Sequence, residues 1–284
     1  MSKPKVIVIL GQTATGKSDL AVKIAKKMNG EIISADSRQV YKGLDIGTGK
    51  ITEKEMKGVP HHMLDIANPK KQFTVLEYKK LAEEKLEEIL ARGKTPIICG
   101  GTGFYIEAVT KGVIFPEVPP NFKLRKSLNE KLTLELLKIL RKLDKRRARE
   151  VDPRNKVRLI RAIEIAKALG KVPEIKEIKS PYKFIKIGLY LPKDKLKKKI
   201  EKRMKKMFEA GLLNEIKKLK KLRITEKRLR ELGFEYYHPT YEKVVRANLD
   251  YAKRQMTWFK RDKQIKWFDA SDGSLIKNID FSKI

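Results

Sequence analysis

Eight residues, Gly11-Gln12-Thr13-Ala14-Thr15-Gly16-Lys17-Ser18, constrain this chain more than any others. They follow an apolar run, Val6-Ile7-Val8-Ile9-Leu10, and precede a helix-like stretch, Leu20-Ala21-Val22-Lys23-Ile24-Ala25. Strand, G-x-x-x-x-G-K-S, helix is a P-loop in the context that the motif needs. Its glycines let backbone N–H groups wrap phosphate oxygens. The helix N-terminus adds the positive end of its dipole. Lys17 supplies a point charge, and Ser18 can hold Mg²⁺. Gly11–Ser18 is therefore expected to bind a polyphosphate or diphosphate. What that phosphate is attached to must come from other residues.

A chain of 284 residues holds one large domain, or a domain with a smaller companion. No run of about 18 apolar residues occurs, so no membrane span is expected. Met1-Ser2-Lys3-Pro4-Lys5 runs straight into the first strand without the shape of a signal peptide, and a cytoplasmic location is expected. The single cysteine excludes an internal disulfide and a cysteine-based metal site. Cys99 ends the apolar run Pro96-Ile97-Ile98-Cys99 and reads as a small buried hydrophobe.

The formal net charge of +32 is unevenly spread: residues 1–118 carry +5 and residues 119–284 carry +27. Lys- and Glu-rich surfaces also mark heat-adapted proteins, but that accounts for abundant charge and not for a surplus of one sign. The excess points to a polyanionic partner, nucleic acid first.

The first third alternates strands and helices. Glu31–Ala35 reads as a second strand ending at Asp36, Thr95–Cys99 as a third, and Gly100-Gly101-Thr102-Gly103 as a glycine turn before a helix. Thr74-Val75-Leu76-Glu77 is a capping box opening another helix, which Gly93 stops. Such punctuation predicts an α/β fold: a nucleotide-kinase-like parallel sheet flanked by helices. Pro116-Glu117-Val118-Pro119-Pro120 breaks the pattern, and the following stretch to Ile178 is basic and helical. Residues 118–180 are thus expected to form a small helical insertion, with 1–117 and 181–284 making the core. Phe184–Leu191 reads as a strand returning to the sheet. A long amphipathic helix (Leu196, Ile200, Met204, Phe208) follows, then a helix near Val244–Lys260 and a last strand, Ile265–Phe268.

The loops at Gly11, Asp36 and Thr102 are expected to meet where parallel sheets bind ligands, outside the carboxyl ends of the strands. A carboxylate there either holds Mg²⁺ or takes a proton from a nucleophile. The less favoured readings are that Asp36 merely caps a turn and that Thr102 caps its helix. His61-His62 reads as a loop pair without a third partner, not as a metal site. His238, before Pro239, reads as a turn residue. Trp258 and Phe259 could stack on bases, but their spacing with Tyr251 and Gln255 favours core.

Six blocks together resemble one family. They are the octet; Asp36-Ser37-Arg38-Gln39-Val40-Tyr41 with Asp45-Ile46-Gly47-Thr48-Gly49-Lys50; Pro60–Ile66; Gly100–Ile106; Val157–Glu164; and Tyr251–Phe259. In order and extent they are similar to the tRNA dimethylallyltransferases, also called tRNA isopentenyltransferases, in their compact bacterial form. The resemblance implies transfer of a dimethylallyl group from dimethylallyl diphosphate to the N6 amine of adenosine 37 of tRNA, beside the anticodon, releasing diphosphate. It implies that Gly11–Ser18 cradles the leaving diphosphate, with Mg²⁺ on Ser18. It implies that Asp36 accepts the amine proton, that Thr102 positions the amine or the diphosphate, and that Arg203 stabilises the leaving charge. It further implies tRNA contacts by Asp36, Ser37, Arg38, Gln39, Thr102, Arg125, Val157, Arg158, Arg161, Lys253, Arg254 and Gln255, with a monomeric enzyme. Val157 stands where the family often has Gln, and a zinc-finger extension cannot be built with one cysteine.

Three other readings remain at this point: an ATP-using small-molecule kinase, an adenylate isopentenyltransferase acting on free AMP, and an RNA-binding protein with a vestigial P-loop. A metabolite kinase has no use for +27 in its second part. The tRNA-contact blocks argue against free AMP. Without the resemblance, Arg203, Arg158 and Arg161 would pass as solvated helix charges.

Overall fold

The computed structural model describes residues 3–174, 179–273 and 279. β1 (Lys5–Gly11) leads through the octet into α1 (Lys17–Lys27). Then come β2 (Gly30–Ser34), α2 (Glu53–Met56), β3 (His61–His62), α3 (Val75–Ala91), β4 (Thr95–Gly100) and α4 (Gly103–Thr110). Four helices follow: α5 (Phe122–Asn129), α6 (Thr133–Leu143), α7 (Lys145–Glu150) and α8 (Lys156–Leu169). Last are β5 (Lys183–Tyr190), α9 (Lys193–Glu209), α10 (Leu212–Lys221), α11 (Glu226–Leu232), α12 (Tyr241–Phe259) and β6 (Lys266–Asp269).

The six strands form one parallel sheet in the order β3-β2-β4-β1-β5-β6. β1 is buried on both faces, as its unbroken apolar run requires. Val6, Val8 and Leu10 point into one core with Tyr78, Ala82, Leu86 and Ile89 of α3. Ile7 and Ile9 point into the other with Leu20, Ala21 and Ile24 of α1. Pairing of Leu10 with Gly100 and of Ser34 with Cys99 levels the carboxyl ends of β1, β4 and β2. The Thr74 capping box forms, with both reciprocal hydrogen bonds present.

His61 and His62 depart from the loop expected for them. They pair with Ile32 and Ile33 as a short edge strand. His62 Nε2 lies 2.6 Å from Glu31 Oε2, and Glu31 also takes Arg92 and Lys94 at 2.7 and 2.8 Å. Burial by itself would raise the Glu31 carboxyl; these donors instead hold it down at about 2. Two adjacent strand residues face opposite ways, so the two imidazoles lie on opposite faces of the edge strand.

The chain divides into two compact units, Met1–Gly112 with Lys179–Ile284, and Val113–Ile178. The second begins before the expected 118. Its core gathers Leu128, Leu136, Leu140, Leu159, Ile160 and Ile163. The end of the expected helical stretch, 175–178, and most of the tail, 274–278 and 280–284, lie outside the described residues.

Candidate active site

Because β2, β4 and β1 are neighbours, the loops that leave their carboxyl ends share one edge of the sheet. The backbone there is too close for side chains. A Cβ on Gly11 would lie 2.1 Å from the Leu189 carbonyl oxygen, and one on Gly100 would lie 2.2 Å from that of Ala35. Gly16, at φ +84°, turns the octet into α1. Ala14 also holds a positive φ, 61°, a strained position for a residue with a Cβ.

Several hydrogen bonds fix the octet. Thr15 Oγ1 donates to the Gln12 carbonyl at 2.8 Å, and Lys17 Nζ donates to the same oxygen at 2.6 Å. Burial lowers the Lys17 ammonium from its ordinary value to about 8, with Arg203 pushing the same way and Cys99 and Asp36 opposing. The Gln12 side chain is buried, its Nε2 3.5 Å from the Ala252 carbonyl and its Oε1 accepting from Leu191 N at 3.4 Å. Ser18, in the first turn of α1, is exposed. Cys99 lies beneath, buried, its thiol pushed up to about 12 by that burial.

Arg203 crosses from α9 to this loop. Its Nη1 donates to Thr13 Oγ1 at 3.1 Å and its Nη2 to the Thr48 carbonyl at 3.2 Å. It is therefore no solvated helix charge, and burial lowers its pKa from the ordinary value, against the pull of Asp36, Glu235 and Glu55.

Asp36 follows β2. Its Oδ1 accepts from the backbone N–H of Arg38 at 2.8 Å and, more weakly, of Gln39 at 3.4 Å. It does cap a turn, as an Asx motif does. Both bonds fall on one oxygen, and the other takes no part in the turn. Thr102 stands at the N-cap of α4, yet its hydroxyl caps nothing there. Instead Oγ1 accepts from Ser37 N at 3.0 Å and sits 3.3 Å from Ser37 Oγ, which ties the Asp36 loop to the glycine turn. Arg38 Nη1 donates to the Glu231 carbonyl, and Gln39 Nε2 reaches the Thr48 and Gly49 carbonyls at 3.4 and 3.3 Å.

Three of the residues expected at the tRNA also hold partners within the protein. Gln255 is 5% exposed. Its Oε1 accepts from Thr13 N at 2.7 Å while its Nε2 donates to the Gly101 carbonyl at 2.9 Å. It is a strut between two loops. In the helical unit, Arg125 Nε and Nη2 grip the buried Glu164 at 2.9 and 2.7 Å, and Arg161 donates to the same carboxylate and to the Val118 carbonyl. These two half-buried arginines share one buried carboxylate. Burial would raise Glu164, but its partners Arg125, Asn121 N–H and Arg161 bring it to about 2. Val157, 78% exposed, and Arg158 remain on the surface. So do Lys253 and Arg254 on α12. Phe259 is core; Trp258 packs partly buried against it, with Arg261 over its ring.

Sequence reading missed several residues. Lys50, almost wholly buried, joins Asp45 and Asp65 at 2.6 Å each, which explains those letters of the blocks as loop fasteners. Glu215 and Tyr236 carry no motif at all. Glu235 stands among the same charges: burial lifts its carboxyl to about 7, with Asp36 adding to the lift and Arg38 and Arg203 opposing it. Among the described residues no group of three or more His, Cys, Asp or Glu could hold a metal. A hydroxyl such as Ser18 with diphosphate oxygens and waters suits Mg²⁺, which keeps waters and takes few protein ligands.

Fold and site define a P-loop α/β protein with a carboxylate and an arginine at the edge of the sheet where the loop lies. The IPP transferase family model matches residues 39–262. The chain is 38% identical over 288 residues to the tRNA dimethylallyltransferase of Anoxybacillus flavithermus, covering 96% of this chain and 93% of that protein. The Bacillus subtilis protein of the same name is 38% identical over 289 residues, covering 95% and 92%. The crystal structure of the full-length tRNA isopentenylpyrophosphate transferase from Bacillus halodurans has a TM-score of 0.71 at 36% identity, covering 99% of this chain and 93% of that one. A eukaryotic dimethylallyltransferase acting on tRNA has a TM-score of 0.83 at 28% identity, covering 99% and 77%. This chain belongs to the IPP transferase family.

Proposed function

We propose that this chain transfers the dimethylallyl group of dimethylallyl diphosphate to N6 of adenosine 37 in the anticodon loop of tRNA and releases diphosphate. The observation that carries the reading is the meeting of octet, Asp36 and Thr102 on three adjacent strands, with Arg203 laid across the octet. Relatives named for this reaction cover nearly the whole chain.

The octet's N–H groups and Lys17 receive the two phosphates. Charge grows on those phosphates as the C–O bond breaks, and Lys17 and Arg203 meet it where it develops. Ser18 would help hold Mg²⁺, which adds positive charge on the same oxygens. The exocyclic amine of adenine is a weak nucleophile because its lone pair is delocalised into the ring, so orientation matters. The free oxygen of Asp36 accepts the amine proton as N6 attacks. Thr102, joined to Ser37, keeps that carboxylate's loop in register with the glycine turn. A stacked base cannot reach this edge, so the adenosine is flipped out of its loop.

Ser37, Arg38 and Gln39 beside Asp36, with Lys253 and Arg254, contact the RNA. The basic helical unit, with Val157 and Arg158, is a second tRNA-binding surface. The enzyme acts as a monomer in the cytoplasm. Thermal unfolding with each ligand tests the reading: dimethylallyl diphosphate should raise Tm. Stabilisation by ATP alone would support a small-molecule kinase and overturn it.

A further inference from the structure

We infer that Glu215 is a positioning residue for the diphosphate site: its carboxylate folds the 45–49 loop that aims Arg203 at the octet. The inference rests on the function proposed above. Glu215, on α10, is 7% exposed. Its Oε2 accepts from Asp45 N at 2.9 Å and Ile46 N at 2.7 Å; its Oε1 accepts from Gly47 N at 3.0 Å and the Tyr236 hydroxyl at 2.9 Å. Three successive backbone N–H groups converging on one anion form a nest, and charge-assisted bonds of this kind are strong. The loop is pressed home: a Cβ on Gly47 would lie 2.6 Å from the Tyr236 hydroxyl oxygen.

The next residues carry the order onward. Gly49 N donates to Ile46 O and Lys50 N to Asp45 O, both at 2.9 Å. Thr48 Oγ1 donates to Leu44 O at 2.6 Å. The Thr48 carbonyl of this ordered turn accepts Arg203 Nη2 at 3.2 Å and, more weakly, Gln39 Nε2 at 3.4 Å. Gly49 gives the guanidinium room, since a Cβ there would lie 2.0 Å from Nη2. Arg203 is held by this carbonyl on one side and Thr13 Oγ1 on the other. Its remaining N–H groups are left for an anion in the octet. Without the Glu215 carboxylate, three loop N–H groups lose their acceptor and the carbonyl loses its aim.

A double-mutant cycle on pyrophosphate binding tests this directly. Calorimetry would compare wild type, Glu215→Gln, Arg203→Ala and the double variant, with transfer to tRNA measured alongside. Glu215→Gln should weaken pyrophosphate binding by about tenfold, the worth of one charge-assisted hydrogen bond, and lower the transfer rate, while adding nothing in the Arg203→Ala background. Tyr236→Phe should act in the same direction and less strongly, and it carries the cycle if Glu215→Gln does not fold. Glu215→Asp, which keeps the charge, should restore part of the loss. Unchanged binding, or the same loss with and without Arg203, would overturn the inference, since a purely structural role predicts either. A wild-type protein that binds pyrophosphate but transfers no prenyl group would sink the proposed function and leave this inference to be judged by the binding cycle.

Discussion

Arg203 donates to Thr13 Oγ1 at 3.1 Å across 190 positions of sequence, so the long helix α9 reaches into the octet. A lysine cannot hold Thr13 and the Thr48 carbonyl together, because it lacks the planar fork. Arg203→Lys should therefore lower kcat by about a hundredfold, as loss of one preorganised donor does. Steady-state kinetics check this, and a Tm within a few degrees of wild type would show that the loss is chemical.

Lys17 gives a pH dependence. In the free protein burial lowers its ammonium from 10.5 to about 8. A bound diphosphate restores the charge, while the ester itself has finished ionising by about pH 7.5, since its last phosphate pKa lies near 6. Binding above pH 8 should take up a proton at Lys17, and affinity should fall as pH rises past that point. Titration calorimetry in two buffers of different ionisation heat reads the uptake. Lys17→Met should abolish it.

Glu164 sets the acid behaviour of the helical unit. Its folded carboxyl, near 2, lies below the ordinary 4.5. The stability it contributes is complete above about pH 4.5 and is lost as pH falls toward 2. Glu164→Ala leaves Arg125 and Arg161 without their shared acceptor and should cost about 3 kcal/mol at pH 7. Urea unfolding at pH 7 and pH 3 should show a smaller pH difference in the variant than in wild type.

Gln255 makes a more local prediction. Gln255→Leu leaves the Thr13 N–H and the Gly101 carbonyl without their amide partner. A loss of about 2 kcal/mol in stability is expected, together with a raised KM for the prenyl donor. A variant with ordinary stability and a changed KM for tRNA alone would return Gln255 to the RNA contacts.

Much of this was legible in the residues. The octet, the capping box at Thr74 and the apolar runs at Val6 and Ile97 announce strands and helices because they act locally. Asp36 and Thr102 are marked by their place after strands. The struts are different. Gln255, Glu215 and Lys50 act on backbone groups far away in sequence, and nothing local tells such a residue from a surface one. The same blindness hides the shared ion pair of Arg125 and Arg161, since only the fold reveals Glu164 between them. His61 and His62 form a strand too short for any period to show, fixed by pairing with β2.

The most direct test of the central claim is transfer itself. Labelled dimethylallyl diphosphate and unmodified tRNA would be incubated with wild type and with Asp36→Asn, followed by nucleoside separation. The account predicts label on N6 of the adenosine next to the anticodon with wild type, and with Asp36→Asn a rate lower by at least about a hundredfold, with tRNA binding retained. Label absent from adenosine, or an Asp36→Asn variant as active as wild type, would contradict it.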